Sequence, residues 1–171
     1  MTRSASVSPQ EHARVSELLG REARGLRAIP VKDAAGQPVV IRVASLVDDK
    51  PFPTLFWLVD PGLSYRIDQL EAGGFIAELQ ARIDAEPDLR KAMAEDHTAH
   101  IALRNSLMSE EDRARLQSLG FFESLQQRGI GGIEKPDRIR CLHTWYAAHL
   151  VAANTIGGLV DAHWSAGDSA G

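Results

Sequence analysis

The stretch Ile139-Arg-Cys-Leu-His-Thr-Trp-Tyr-Ala-Ala-His-Leu150 holds the only cysteine of the chain and two of its six histidines. Thiolate and imidazole are preferred ligands of zinc, so Cys141, His143 and His149 raise the question of a metal site. A continuous helix over 139–153 argues against one. At about 100° per residue Cys141 and His143 point roughly 160° apart, and His149 lies about 9 Å further along the axis. The three converge only if Cys141 lies before the helix begins. On that helix His143 shares a face with Ile139, Leu142, Tyr146 and Leu150, where a polar ring needs a partner. It reads either as a core histidine bonded to a carboxylate or carbonyl, or as a ligand-facing acid/base group.

A second polar group interrupts the helix opened by Pro87. Leu89, Met93, Asp96, His100, Leu103 and Leu107 fall on one face, with His97 and Arg104 at its edge. Asp96 and His100 are four apart, close enough for the carboxylate to bond the imidazole and fix its tautomer. His97 and His100, three apart, could chelate a metal from one helix, but no third ligand is near in sequence. The row reads as well as an inter-helix hydrogen-bond network. The turn containing Gly129, Gly131 and Gly132 offers backbone amides to an anion, with Lys135 and Arg138 nearby. It is neither a phosphate-binding P-loop nor the dinucleotide fingerprint, and a plain loop explains the same glycines. Glu71, just before Gly73-Gly74, is a candidate acid or simply a helix-end carboxylate.

These groups need elements to position them. The chain has 171 residues, 44% hydrophobic and 25% charged, which fits a single globular domain. A net charge of -4 argues against nucleic acid, and no apolar run is long enough to span a bilayer. One cysteine excludes an internal disulfide and suits a reducing cytoplasm. The small, polar segments 1–7 and 165–171 are expected to be disordered tails around a domain over 8–164. Ser8-Pro9-Gln10-Glu11 starts a helix with a capping box. Leu26–Val31 and Val39–Val47 read as a hairpin across Asp33-Ala-Ala-Gly-Gln-Pro38. Pro53–Val59, nearly continuous in apolar residues, reads as the central, doubly covered strand. From Pro61 the period is helical, with 121–137 irregular and a short final segment over Asn154–Trp164. The expected fold is α+β: a small antiparallel sheet of about three strands covered by five to six helices.

Pro51-Phe-Pro-Thr-Leu-Phe-Trp-Leu58, Leu70-Glu71, the glycine turn, Arg140-Cys-Leu-His-Thr-Trp-Tyr-Ala-Ala-His149 and Asn154 together resemble a bacterial family catalogued as domain of unknown function number 501. The resemblance runs over residues 20–160. It implies a cytoplasmic bacterial protein whose gene lies near those of enolase, a septum-formation protein and an exopolyphosphatase-like protein, and it brings no activity. Relatives carry cysteines where this chain has Ala35 and Asp60, which leaves Asp60 as a substitute oxygen ligand beside Cys141 and His143. His97 and Arg104 match the family, whereas His100 stands where an aromatic is usual.

The leading expectation is a small anionic, phosphorylated ligand held between the Pro87 helix and the 139 helix. His143, His97, His100, Asp96 and Glu71 would be its acid/base and donor groups. Arg104, Arg138, Gly129, Gly131, Gly132 and Asn154 would bind the anion. One alternative is a non-enzymatic interaction module of the division or envelope machinery, working through exposed apolar residues such as Phe121, Phe122 and Trp164. The other is a metal protein. The sequence leaves the identity of any cofactor open.

Overall fold

The computed structural model describes residues 6–169. It is an α+β fold in which a three-stranded antiparallel sheet, ordered β1-β2-β5, lies between one helix and a layer of several. β1 (Leu26–Lys32) pairs with β2 (Pro38–Val43), and β2 with β5 (Phe56–Leu58). The turn between β1 and β2 forms as expected: the Asp33 carboxylate accepts from the amides of Ala35 and Gln37.

The central strand is β2, not the Pro53–Val59 run. Only Phe56–Leu58 of that run is strand, and it lies at a sheet edge. Its apolar residues are divided between two cores, Leu55 and Phe56 in one, Trp57 and Val59 in the other. β2 is covered on both faces, with Val40 in the helical core and Ile41 and Val43 on the opposite side with Val15. The expected run to Val47 breaks after Val43. A separate hairpin follows, β3 (Leu46–Val47) with β4 (Lys50–Pro51), turning through Asp48 and Asp49 at φ 51° and 58°.

α1 (Pro9–Leu19) has the capping box of Ser8 and Glu11 and ends at Gly20 in the left-handed region. α2 (Pro61–Ala72) is capped by Asp60, and α5 (Glu110–Ser118) by Ser109. α3 (Phe75–Ala85) and α4 (Pro87–Leu107) lie between them. Within 121–137 a one-turn α6 (Phe122–Leu125) and a 3-10 turn (Ile130–Gly132) give the segment more order than expected. α7 (Leu142–Val151) is followed by α8 (Thr155–Ser169). That makes eight α-helices among the described residues, more than the five to six expected. α8 also continues helically through 165–169, which the sequence assigned to a tail. The rest of the expected tails, 1–5 and 170–171, lies outside the described residues. No helix among the described residues is long and apolar enough to cross a membrane.

α7 positions the chemistry. Leu142, Trp145, Ala147 and Ala148 are buried on it, and it packs against β5, α8 and α2.

Candidate metal centre

α7 begins at Leu142, so Cys141 precedes the helix in extended conformation at φ -155°, ψ 128°. Cysteine is a poor N-cap and makes no capping bond here. The first free amide of the helix is satisfied from another element: Leu142 donates to Oε1 of Glu71 at 2.9 Å. That bond brings the last turn of α2 against the start of α7. Freed from the helical rotation, the Cys141 sulfur folds back to 3.5 Å from His143 Nδ1. The same nitrogen is 3.1 Å from Glu71 Oε1. A thiol, an imidazole nitrogen and a carboxylate oxygen thus lie within 4.8 Å of one another.

The other ring nitrogen of His143 is also fixed. Nε2 lies 2.8 Å from Asp68 Oδ1, and Asp68 stands one helical turn before Glu71 on the same face of α2. With Nε2–H donating to Asp68, the Nδ1 lone pair points at the sulfur and at Glu71. The side chains of His143 and Glu71 are 25% and 26% exposed, so solvent and ions reach the group. Burial pushes the Cys141 thiol above its ordinary range, and the Glu71 charge adds to the effect.

The row on α4 does something else. His97 accepts from the Ile130 amide at Nδ1, 3.0 Å, and donates from Nε2 to the Pro136 carbonyl, 3.1 Å. Both nitrogens hold the irregular 121–137 segment, and burial keeps the ring neutral by lowering its pKa. Arg104 is fully buried and donates to the carbonyls of Pro53 at 3.2 Å and Arg128 at 2.7 Å, and to that of Leu125. It clamps backbone there rather than a ligand. Asp96 does not bond His100; it accepts from the Thr155 amide at the start of α8. His100 is buried against the Phe56 edge, its Nε2 has no partner among the described residues, and burial lowers its pKa to about 3. A neutral histidine beside the Asp96 carboxylate is a poor anion receptor, so the expected site between α4 and α7 lacks its electrostatics.

The glycine turn is likewise closed on itself. Gly129 donates to Ile133 and Gly132 to Gly129, while the Ile130 amide goes to His97. A Cβ at Gly129 would lie 2.1 Å from the His97 ring, and one at Gly131 2.7 Å from the Thr144 hydroxyl. Close packing, not an anion cradle, accounts for these glycines. Arg138 is exposed among Asp84 and Asp137. Asn154 caps α8 through Gly157 and bonds the Trp145 carbonyl. His149 donates to Asp161 and accepts from the Asn154 amide, tying α7 to α8. Asp60 caps α2 at the end opposite Glu71, roughly 16 Å away at 1.5 Å per residue, too far to share an ion with it. Trp164 lies under the Arg66 guanidinium and against Tyr146, and Phe122 under Arg113, so they do not join exposed Phe121 in one patch.

Asp68 was missed in the sequence. Its signal was the three-residue spacing to Glu71, which acquires meaning only once α7 is known to meet that end of α2.

The family model described as Protein of unknown function (DUF501) matches residues 29–162. No curated protein and no solved structure matches the chain.

Proposed function

The chain belongs to the DUF501 family, whose description names no activity, and from the site itself we propose that its function is to bind a zinc-like divalent metal ion through Cys141, His143 and Glu71. The observation that carries this reading is the spacing of the three donor atoms. Zinc bonds of about 2.3 Å to sulfur and about 2.0–2.1 Å to nitrogen and oxygen put tetrahedral ligand atoms about 3.3–3.6 Å apart. The sulfur-to-nitrogen and nitrogen-to-oxygen separations here are 3.5 and 3.1 Å.

The donor types agree with the spacing. Thiolate and imidazole select zinc-like ions over magnesium or calcium. Asp68 completes the carboxylate–histidine–metal relay that orients a ligating ring. Binding displaces the Cys141 proton, which the raised pKa of the thiol makes harder, so affinity rises with pH. Three protein donors leave a fourth position for water or a substrate, the arrangement of zinc sites that activate water. A reducing bacterial cytoplasm suits the proposal, since Cys141 has to stay free.

The test is calorimetric titration of tag-free protein with zinc. One ion per chain is expected, with binding abolished in His143→Asn and the variant still folded by circular dichroism. Unchanged binding in that variant, or no stoichiometric binding by the native chain, overturns the proposal.

A further inference from the structure

A second set of polar side chains lies away from the metal donors, where β1, β2 and the link after β2 meet the end of α4 and the start of α5. Arg27, Arg42, Arg104 and Ser45 line a cleft of about 270 Å³ there. Three guanidinium groups on one small cleft repel one another unless something negative lies among them. The chain's own countercharge is incomplete. Arg27 has Asp112 at 3.3 Å. Arg104 has only carbonyl acceptors, and its Nε lacks a partner among the described residues. Arg42, partly buried on the helical face of β2, makes no side-chain hydrogen bond or ion pair among those residues. Ser45 is 5% exposed and lies on the same wall. Burial and the neighbouring Arg27 both disfavour charge on Arg42, an effect that a bound anion would reverse.

We infer that this cleft binds the phosphate group of a small molecule, with Arg42 and Arg27 as its forked donors, Ser45 as a hydroxyl donor, and Arg104 supplying fixed positive charge in the wall. A phosphate presents several strong acceptor oxygens to planar guanidinium forks, which suits more than one arginine at once. Glu111 and Asp112 also line the cleft, which disfavours a highly charged polyanion and favours one compact group. Of these acids Asp112 competes with the ligand directly for Arg27. The anion expected from the sequence thus finds its arginines on the sheet side of α4 rather than facing α7. This site is independent of the metal proposal.

The experiment is calorimetric titration of the full chain with inorganic phosphate and, separately, with glycerol 3-phosphate, at constant ionic strength. Arg42→Gln, Arg27→Gln and Asp112→Asn are titrated in parallel, each checked for native folding; Arg104 is left intact because the fold depends on it. Saturable binding by the native chain is expected, weakened about tenfold or more in the two arginine variants and tightened in Asp112→Asn. Tighter binding of the ester assigns a phosphorylated metabolite; tighter binding of inorganic phosphate assigns the free ion. No saturable binding of either probe, or affinity unchanged in Arg42→Gln, overturns the inference.

Discussion

The α4 row and the start of α7 both place histidines and charged groups on largely apolar surfaces, yet they end in opposite states. On α4, His97 and Arg104 give their donors and acceptors to the backbone of the 121–137 segment and of Pro53. An irregular segment packed on a core has amides and carbonyls with no ladder to join, and buried side chains supply the partners. At α7, Cys141, His143 and Glu71 come from the ends of two helices, and their sulfur, nitrogen and oxygen atoms converge. On α4 the polar atoms are spent on backbone; at α7 Glu71 Oε1 serves a backbone amide, that of Leu142, while the sulfur and Nδ1 face it and each other.

The sharpest way to break this contrast is at Arg104. Arg104→Met removes the donors to three buried or half-buried carbonyls and is expected to destabilise by about 3 kcal/mol or more, read from the denaturant midpoint. A near-neutral result would remove its structural role. His97→Ala and Gly129→Ala are each expected to cost roughly 2–3 kcal/mol. Because the His97 ring fills the space a Cβ at Gly129 would need, the double variant should cost less than the sum. Strict additivity in that cycle contradicts the packing account.

Acid separates the regions too. His97 and His100 are harder to protonate when folded than in the open chain, where the ordinary value is 6.5. Their contribution is therefore complete above that pH and is lost as pH falls from 6.5 towards the folded value, about 3 for His100. For His100 alone the loss reaches about 2 kcal/mol near pH 5. His100→Leu should flatten the acid limb of a stability–pH profile, and an unchanged limb refutes this origin.

Smaller effects sharpen the other side. Asp68→Asn weakens the hold on His143 without deleting a ligand and should lower metal affinity about 10–100-fold, measured by competition with a chelating dye. Cys141→Ser in the metal-free protein should change stability by only about 0.5 kcal/mol, because the thiol makes no capping bond to α7. A large loss there would place Cys141 with the α4 residues.

Much of the fold was legible. The Ser8 capping box, the Asp33 turn, Pro61, Pro87 and Ser109 carry local chemistry that sets element ends wherever they sit. The β2-for-β5 exchange was not legible, since an apolar run divided between two cores looks the same as one doubly covered strand. The α7 boundary failed for a related reason. Apolar periodicity runs smoothly through Ile139–Ala153, and what starts the helix at Leu142 is a carboxylate 71 residues earlier. Those three residues of helix decided whether Cys141 and His143 diverge or converge, so a tertiary cap decided the legibility of the site. The roles of His97 and Arg104 were hidden likewise, because their carbonyl partners belong to segments without a sequence pattern.

The central claim, that Cys141, His143 and Glu71 bind one metal ion, is tested most directly with cobalt(II) as a spectroscopic stand-in for zinc. Titration into reduced, tag-free protein should develop tetrahedral visible absorption and a thiolate-to-cobalt charge-transfer band, saturating at one ion per chain and bleached by zinc. Cys141→Ser should abolish the charge-transfer band. A native protein that develops neither band, or a Cys141→Ser variant that keeps the charge-transfer band, contradicts the account.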